Sequence, residues 1–347
     1  VTTSAPFTGE PLAALPPSGV DDVEHAFAAA RAAQPDWAAL PVRERARVFL
    51  RLHDLLLDRQ DEVLDLVQRE SGKARRHAFE EVADVALNAR HYARVAPGAL
   101  APARRAGLAP LLSSGHELRH PKGVVGIVSP WNYPLTLAVS DAIPAFLAGN
   151  AVVHKPDTQT ALTALWIRAL AVEAGLPEQL WQIVLGEGPV VGTAVVDRAD
   201  FVCFTGSTAV GREVAQRAAA RLVGVSLELG GKNPLLVLAD ADVERAAEAA
   251  VRDCFSAAGQ LCVSIERMYV EDAVHDEFVG RFLDRVRRLR LSPALGYSAD
   301  VGCLLSPRQL DRVRAHVEDA VARGATVLAG GRPRPDIGPL FYQPTVL

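Results

Sequence analysis

Lysine is scarce in this 347-residue chain: of its 37 basic residues, only Lys73, Lys122, Lys155 and Lys232 are lysine, and the rest are arginine. In a chain so weighted toward the planar guanidinium, a surviving lysine marks a place where a compact ammonium serves better, which directs attention to Lys155 and Lys232. Cysteine is sparse too. Cys203, Cys254, Cys262 and Cys303 match no C-x-x-C metal or redox pattern and no dense disulfide framework, so a reducing cytoplasm is the expected compartment. Neither charge is in strong excess. A net charge of -4 offers no field that would recruit nucleic acid or a membrane surface. The opening "VTTSAPFTGEPLAALPPSG" has no basic segment leading into an apolar one, and a secretory signal is not expected. Long apolar runs are also missing: residues 124–153 come nearest, but Pro130, Asn132, Pro134, Asp141, Pro144 and Asn150 interrupt them. That stretch is expected as buried strand, turn, helix and strand rather than a membrane span. No internal repeat or low-complexity tract is present.

What is there is the composition of a globular protein, 49% hydrophobic and 22% charged, in a chain long enough for two cores. Residues 20–98 repeat Ala, Leu, Arg and Glu at helical spacing, with Gly72 as a helix stop. Residues 101–121 lose that periodicity and predict an extended excursion, a β-hairpin able to reach another subunit. From 122 the rhythm becomes β-α-β: strands at 124–128, 151–154, 181–185, 201–204 and 224–229, with helices at 160–174 and 207–221. Such alternation predicts a Rossmann-like, doubly wound parallel sheet that binds its ligand beyond the strand carboxyl ends. The rhythm then restarts with strands at 235–238, 267–270 and 326–328 and helices from Asp242 and from about 273. The expected division is a dinucleotide-binding domain (1–100 and 122–229), an oligomerisation excursion (101–121) and a second α/β domain (230–347).

Five short stretches carry chemistry, each with a plain structural alternative. "FTGSTAVG" (204–211) follows a strand and opens a helix, so Gly206 permits close backbone approach, Ser207 caps, and the free N–H groups favour an anion. It is not G-x-G-x-x-G. Arg212 and Glu213 also stand where a P-loop needs Lys and Ser or Thr, and a purely structural turn stays open. "HKPDT" (154–158) puts Lys155 at a strand end, followed by Pro156, Asp157 and Thr158; the lysine either meets ribose or phosphate oxygens or is simply solvated. In "SPWNYP" (129–134), Asn132 between Trp131 and Tyr133 is either a donor to a developing oxyanion or a turn residue. "LELGGKNP" (227–234) sets Glu228 at the end of an apolar strand beside Leu229 and Gly230. An apolar setting would raise its pKa and suit a general base, unless an arginine pairs with it. "GQLC" (259–262) presents Cys262, which by itself reads as a small buried hydrophobe as readily as a nucleophile.

Taken in order and spacing, these five stretches resemble the aldehyde dehydrogenase superfamily over essentially the whole chain. "GQLCVSIER" and "PKGVVGIVSPWNYP" resemble its bacterial succinate-semialdehyde dehydrogenase branch. The resemblance implies Cys262 as nucleophile, Glu228 as general base, and Asn132 with the Cys262 N–H as the oxyanion hole. It implies Lys155 as a ribose ligand, with Pro156, Asp157 and Thr158 beside it, Gly206 and Ser207 as the pyrophosphate turn, Trp131 as a wall of the cofactor cleft, and Leu229 with Gly230 at the nicotinamide. The implied reaction runs through a cysteine thiohemiacetal and a thioester to the carboxylate. NAD-preferring members often carry Glu where this chain has Thr158, which cannot repel a 2′-phosphate, so NADP is expected to be accepted and preferred over NAD. Ser264 replaces the second cysteine that some relatives carry, so no adjacent-cysteine redox switch is expected. A small aldehyde is the expected substrate, and a homodimer or homotetramer the expected assembly.

Family members continue well beyond "GPLFYQPTVL", into a nicotinamide-ribose contact and an oligomerisation strand. The second domain is therefore expected to be incomplete, in a piece of a longer protein or in an incomplete relative. The rival reading is a non-catalytic nucleotide-binding or assembly subunit. A CoA-acylating enzyme is disfavoured because such relatives commonly lack the glutamate that Glu228 matches.

Overall fold

A computed structural model describes residues 1–109 and 112–347; residues 110 and 111, inside the excursion expected at 101–121, lie outside the described residues. The strands along the described chain are β1 (Thr2–Ser4), β2 (Pro11–Ala14), β3 (Ala103–Ala106), β4 (Ser114–Glu117), β5 (Val124–Val128), β6 (Ala151–Lys155), β7 (Trp181–Ile183), β8 (Phe201–Gly206), β9 (Gly224–Leu229), β10 (Asn233–Val237) and β11 (Ile265–Val270). The chain divides into two compact units. One comprises Leu15–Val63 and Glu81–Glu228 together with Val1, and the other comprises Thr2–Ala14, Leu64–Glu80 and Leu229–Leu347.

The first unit is built on a five-stranded sheet of order β7-β6-β5-β8-β9. β5 pairs in parallel with β6, from Val124–Ala151 to Val128–Lys155, and with β8 on its other flank. Strand order reverses between β5 and β8, the switch point of a doubly wound sheet, and the carboxyl ends of these parallel neighbours lie side by side there. β5 is an apolar run and β6 is apolar until His154 and Lys155 at its end, and both are buried nearly throughout, as parallel strands covered by helices must be. Side chains fix the opposite end of the sheet. Asn150 Oδ1 accepts from the Lys122 and Gly123 N–H groups at 2.6 and 3.1 Å, and Asp200 Oδ2 accepts from Val124 N–H at 2.8 Å.

Between β5 and β6 the expected single helix is two, Pro134–Val139 and Ala142–Leu147. Pro144 has no N–H to continue the ladder, and it sits in the first turn of the second helix, where none is needed. The excursion does form a ribbon: β3 and β4 pair antiparallel from Ala103–Glu117 to Ala106–Ser114.

In the second unit, β10 and β11 pair in parallel. Their helices Val243–Phe255 and Asp272–Arg287 bury a core of Val237, Ala247, Ala250, Phe278, Phe282 and Val286. A second apolar patch forms where Phe7 stacks on Phe341 at 6.1 Å around Cys303. The expectation that all of residues 1–100 belong with the first sheet is corrected here. Thr2–Ala14 and Leu64–Glu80 lie in the second unit, through contacts that helical periodicity cannot report: Phe7 with Phe341, and Gln68 and Arg75 donating to the carbonyls of Ala294 and Leu295. The strand expected at 326–328 is also absent. Ala329 forms a single bridge with Val346 and the exposed Val327 and Leu328 find no strand to extend it.

Candidate functional site

The carboxyl edge of the first sheet collects most of the residues singled out in that unit. β5 runs into Ser129, whose hydroxyl lies 2.7 Å from Nε2 of fully buried His154 and whose N–H donates to the Lys155 carbonyl at 3.2 Å. The loop therefore leaves the sheet locked to β6. Trp131 and Asn132 follow, both half-buried. Immediately beyond them the helix Pro134–Val139 is anchored by buried Glu81, whose Oε2 accepts from the Leu135 and Thr136 N–H groups at 2.8 and 3.1 Å. A carboxylate on the first-turn amides stabilises a helix start, and here it fixes the backbone three residues after Asn132.

β6 ends in Lys155, which is 6% exposed. Burial pushes its ammonium pKa down, against the opposing pull of Asp157 and Glu187. Pro156 is buried, and Asp157 caps the short 3-10 turn that begins at Thr158, accepting from Gln159 N–H at 2.9 Å. β8 delivers Gly206, and exposed Ser207 caps the helix Thr208–Ala220, accepting from Val210 N–H at 3.4 Å. Gly206 is not in the left-handed region; what its missing Cβ provides is room, since a Cβ would stand 2.6 Å from Phe204 Cζ.

A partly desolvated ammonium and a capped thirteen-residue helix start at one sheet edge fit the hydroxyls and phosphates of a dinucleotide. Glu228 departs from expectation, because it is exposed. β9 is the edge strand and alternates exposed with half-buried residues, so an apolar run did not mean burial on both faces. A neighbour missed in the sequence is Asp141, whose carboxyl is pushed above the usual range by burial and then by the charge of Glu228.

Cys262, Leu229 and Gly230 belong to the second unit. Leu229 ends β9 half-buried, and Gly230 is exposed. Cys262 follows an unusual backbone: after the helix Val243–Phe255, three successive residues adopt left-handed dihedrals, Ala257 (φ 50°), Ala258 (φ 59°) and Gly259 (φ 74°). For each alanine this costs roughly 1–2 kcal/mol, so the surroundings must over-determine it.

They do so with hydrogen bonds. Gln260 Nε2 donates to Ala257 O at 3.0 Å, and its Oε1 accepts from Leu305 N–H at 3.0 Å. Asn233 Nδ2 donates to the carbonyls of Cys262 and Ser264 at 2.7 and 2.9 Å. The buried Ser264 hydroxyl lies 3.0 Å from the Asp253 carbonyl, to which it donates. Asn233, Gln260 and Ser264 are thus positioning residues for which the motifs offered no role, although all three lie in or beside the quoted stretches.

Cys262 is the exposed member of the four thiols. Burial, then Asp141, pushes Cys203 up to about 12, and burial, then Asp253, pushes Cys254 up to about 12. Burial also pushes Cys303 far up. Those three are held as thiols, whereas the nucleophilic species is the thiolate.

The first unit is thus a parallel doubly wound sheet of the dinucleotide-binding type with a lysine and a capped helix at its carboxyl edge, and the second is an α/β unit that presents an exposed thiol on a clamped turn. The chain belongs to the aldehyde dehydrogenase family, whose model matches residues 1–347. It is 54% identical over 341 residues to a Mycolicibacterium smegmatis protein named "Putative succinate-semialdehyde dehydrogenase" with NADP(+) as its cofactor; the match covers 98% of this chain and 66% of that protein. The chain thus spans just under two thirds of that relative's length. Among solved structures, an Escherichia coli NADP-dependent enzyme superposes with a TM-score of 0.96 at 32% identity, covering 99% of this chain and 72% of that one. Succinate-semialdehyde dehydrogenase from Burkholderia pseudomallei superposes at 0.95 with 30% identity, covering 99% and 71%. Among the described residues no helix is long and apolar enough to cross a membrane.

Proposed function

We propose that this chain carries the nucleophile, the general base and the cofactor edge of an aldehyde dehydrogenase that prefers NADP and also accepts NAD, acting on a small aldehyde with a distal carboxylate, succinate semialdehyde first. The observation that carries the reading is Cys262: an exposed thiol on a strained turn held by side-chain clamps, in a chain whose other thiols are suppressed by burial. The name of the Mycolicibacterium smegmatis relative supports the choice of substrate and cofactor.

In this reading the Cys262 thiolate forms a bond to the aldehyde carbon, and the Asn132 carboxamide and the Cys262 N–H hold the oxygen that becomes negative. A nicotinamide dinucleotide held at the sheet edge would supply the hydride acceptor that the oxidation of the Cys262 adduct to the thioester requires. Glu228 then takes a proton from water as the water oxygen bonds to the acyl carbon, and the C–S bond breaks to return the thiolate and release the carboxylate. Lys155 and the Thr208–Ala220 helix start would hold the dinucleotide's ribose and phosphate oxygens. Thr158 tolerates a 2′-phosphate where a carboxylate would repel it. Trp131, Leu229 and Gly230 are the residues that would meet the nicotinamide end. The β3–β4 ribbon serves contact between copies in a homodimer or homotetramer, and the compartment is the cytoplasm.

The test is a panel of semialdehydes and simple aldehydes ranked by kcat/KM with each cofactor, alongside Cys262→Ser. Succinate semialdehyde with NADP should rank first, and Cys262→Ser should be inactive. Cofactor binding without turnover of any aldehyde would point instead to a non-catalytic nucleotide-binding subunit.

A further inference from the structure

The left-handed run Ala257–Ala258–Gly259 needs an anchor at its start as well as at its end. Gln260 closes the end. At the start, Ala257 is 1% exposed and its N–H has just left the helix Val243–Phe255, so it needs an acceptor that water cannot supply. The acceptor is Nδ1 of His77, at 3.2 Å, from a residue 180 positions earlier in the chain. His77 is itself 4% exposed and sits at the start of the helix Arg75–Ala99. No motif marked it.

We propose that His77 is a positioning residue for the nucleophile: its neutral imidazole, accepting from Ala257 N–H, holds the left-handed turn that presents Cys262. This rests on the reading of Cys262 as the nucleophile. An amide N–H can only donate, so Nδ1 must carry its lone pair and the ring proton must lie on Nε2. The surroundings favour that state. Burial, then the charges of Lys73 and Arg76, pull the imidazole pKa down to about 4 against the opposing effect of Asp300, and Asp300 is itself engaged by Arg76 at 2.7 Å. At neutral pH the ring is therefore an acceptor.

The experiment compares wild type, His77→Leu and His77→Asn by hydrogen exchange of the amides in 256–264, with the helix 243–255 as internal reference. Asparagine keeps a carbonyl oxygen that can accept, and leucine does not. His77→Leu should exchange at least tenfold faster across 257–260 while 243–255 stays within twofold, and His77→Asn should recover most of the protection. In steady-state assays the same substitution should lower kcat at least tenfold with the aldehyde KM within twofold. Unchanged exchange in His77→Leu would overturn the proposal, as would faster exchange spread evenly over the second unit or an asparagine variant no better than leucine. The companion Cys262→Ser separates the two readings. If that variant still oxidises aldehyde, the nucleophile assignment fails, whatever His77 does to the turn.

Discussion

His154 makes a measurable claim about acid stability. It lies on β6 with no exposed surface, Nε2 at 2.7 Å from the Ser129 hydroxyl and its ring stacked 6.3 Å from Trp181. Burial, and then the charge of Lys155, pull its pKa from an ordinary value of 6.5 to about 3. The unfolded chain therefore takes up a proton near pH 6.5 that the native protein refuses until about 3, and stability is lost as pH falls through that window. At pH 5 the native ring is still neutral and the unfolded one is protonated by a margin of about 1.5 pH units. At roughly 1.36 kcal/mol per unit this is about 2 kcal/mol lost relative to pH 7.5. The figure does not depend on how far below 5 the native pKa lies. His154→Gln keeps a polar group for Ser129 and removes the titration. Urea unfolding of both proteins at pH 5.0 and 7.5, followed by the tryptophan fluorescence of the first unit, should give a wild-type loss that exceeds the variant's by about 2 kcal/mol. Equal losses in the two proteins would refute the reasoning, because buried imidazole would then carry no proton linkage.

Three further outcomes follow from the site. Ala258→Gly relieves a left-handed alanine at φ 59° and should stabilise the second unit by about 0.5–1 kcal/mol in urea unfolding. Glu228→Gln should spare the first half-reaction and slow thioester hydrolysis by at least 100-fold, so that rapid mixing gives a burst of reduced cofactor near one equivalent followed by a slow phase; no burst would count against this division of roles. Thr158→Glu should lower the NADP-to-NAD ratio of kcat/KM by tenfold or more, about 1.4 kcal/mol, by setting a carboxylate against the 2′-phosphate.

Much of the first sheet was legible because its strands are apolar on both faces and are separated by prolines, glycines and asparagines that punctuate them. The same logic misread β9, where an apolar run belongs to an edge strand and Glu228 emerges exposed. Motifs marked the groups of the proposed chemistry but not the groups that hold their backbones. Asn233 sat unremarked inside "LELGGKNP", although its amide binds the Cys262 carbonyl at 2.7 Å. Thr2–Ala14 and Leu64–Glu80 could not be assigned to the second unit from the sequence, since periodicity reports that a helix has a buried face and not what covers it.

His77 and Glu81 show where a usable signal lay. They stand four residues apart on the helix Arg75–Ala99, spaced to share one face with Val85 and Ala89, which are fully buried. A histidine and a glutamate in line with an apolar stripe are either errors of pattern or buried polar groups with work to do, because burial without a partner costs each of them several kcal/mol. Each has found backbone amides outside its own helix: Glu81 those of Leu135 and Thr136, close after Asn132, and His77 that of Ala257, close before Cys262. In both cases the polar residue on the apolar stripe accepts from backbone amides, one set at a helix start and one at a left-handed turn, and so fixes a segment adjoining a proposed catalytic group. A polar residue that interrupts an apolar stripe is thus a sequence-level pointer to the backbone a site depends on, even where no motif names it.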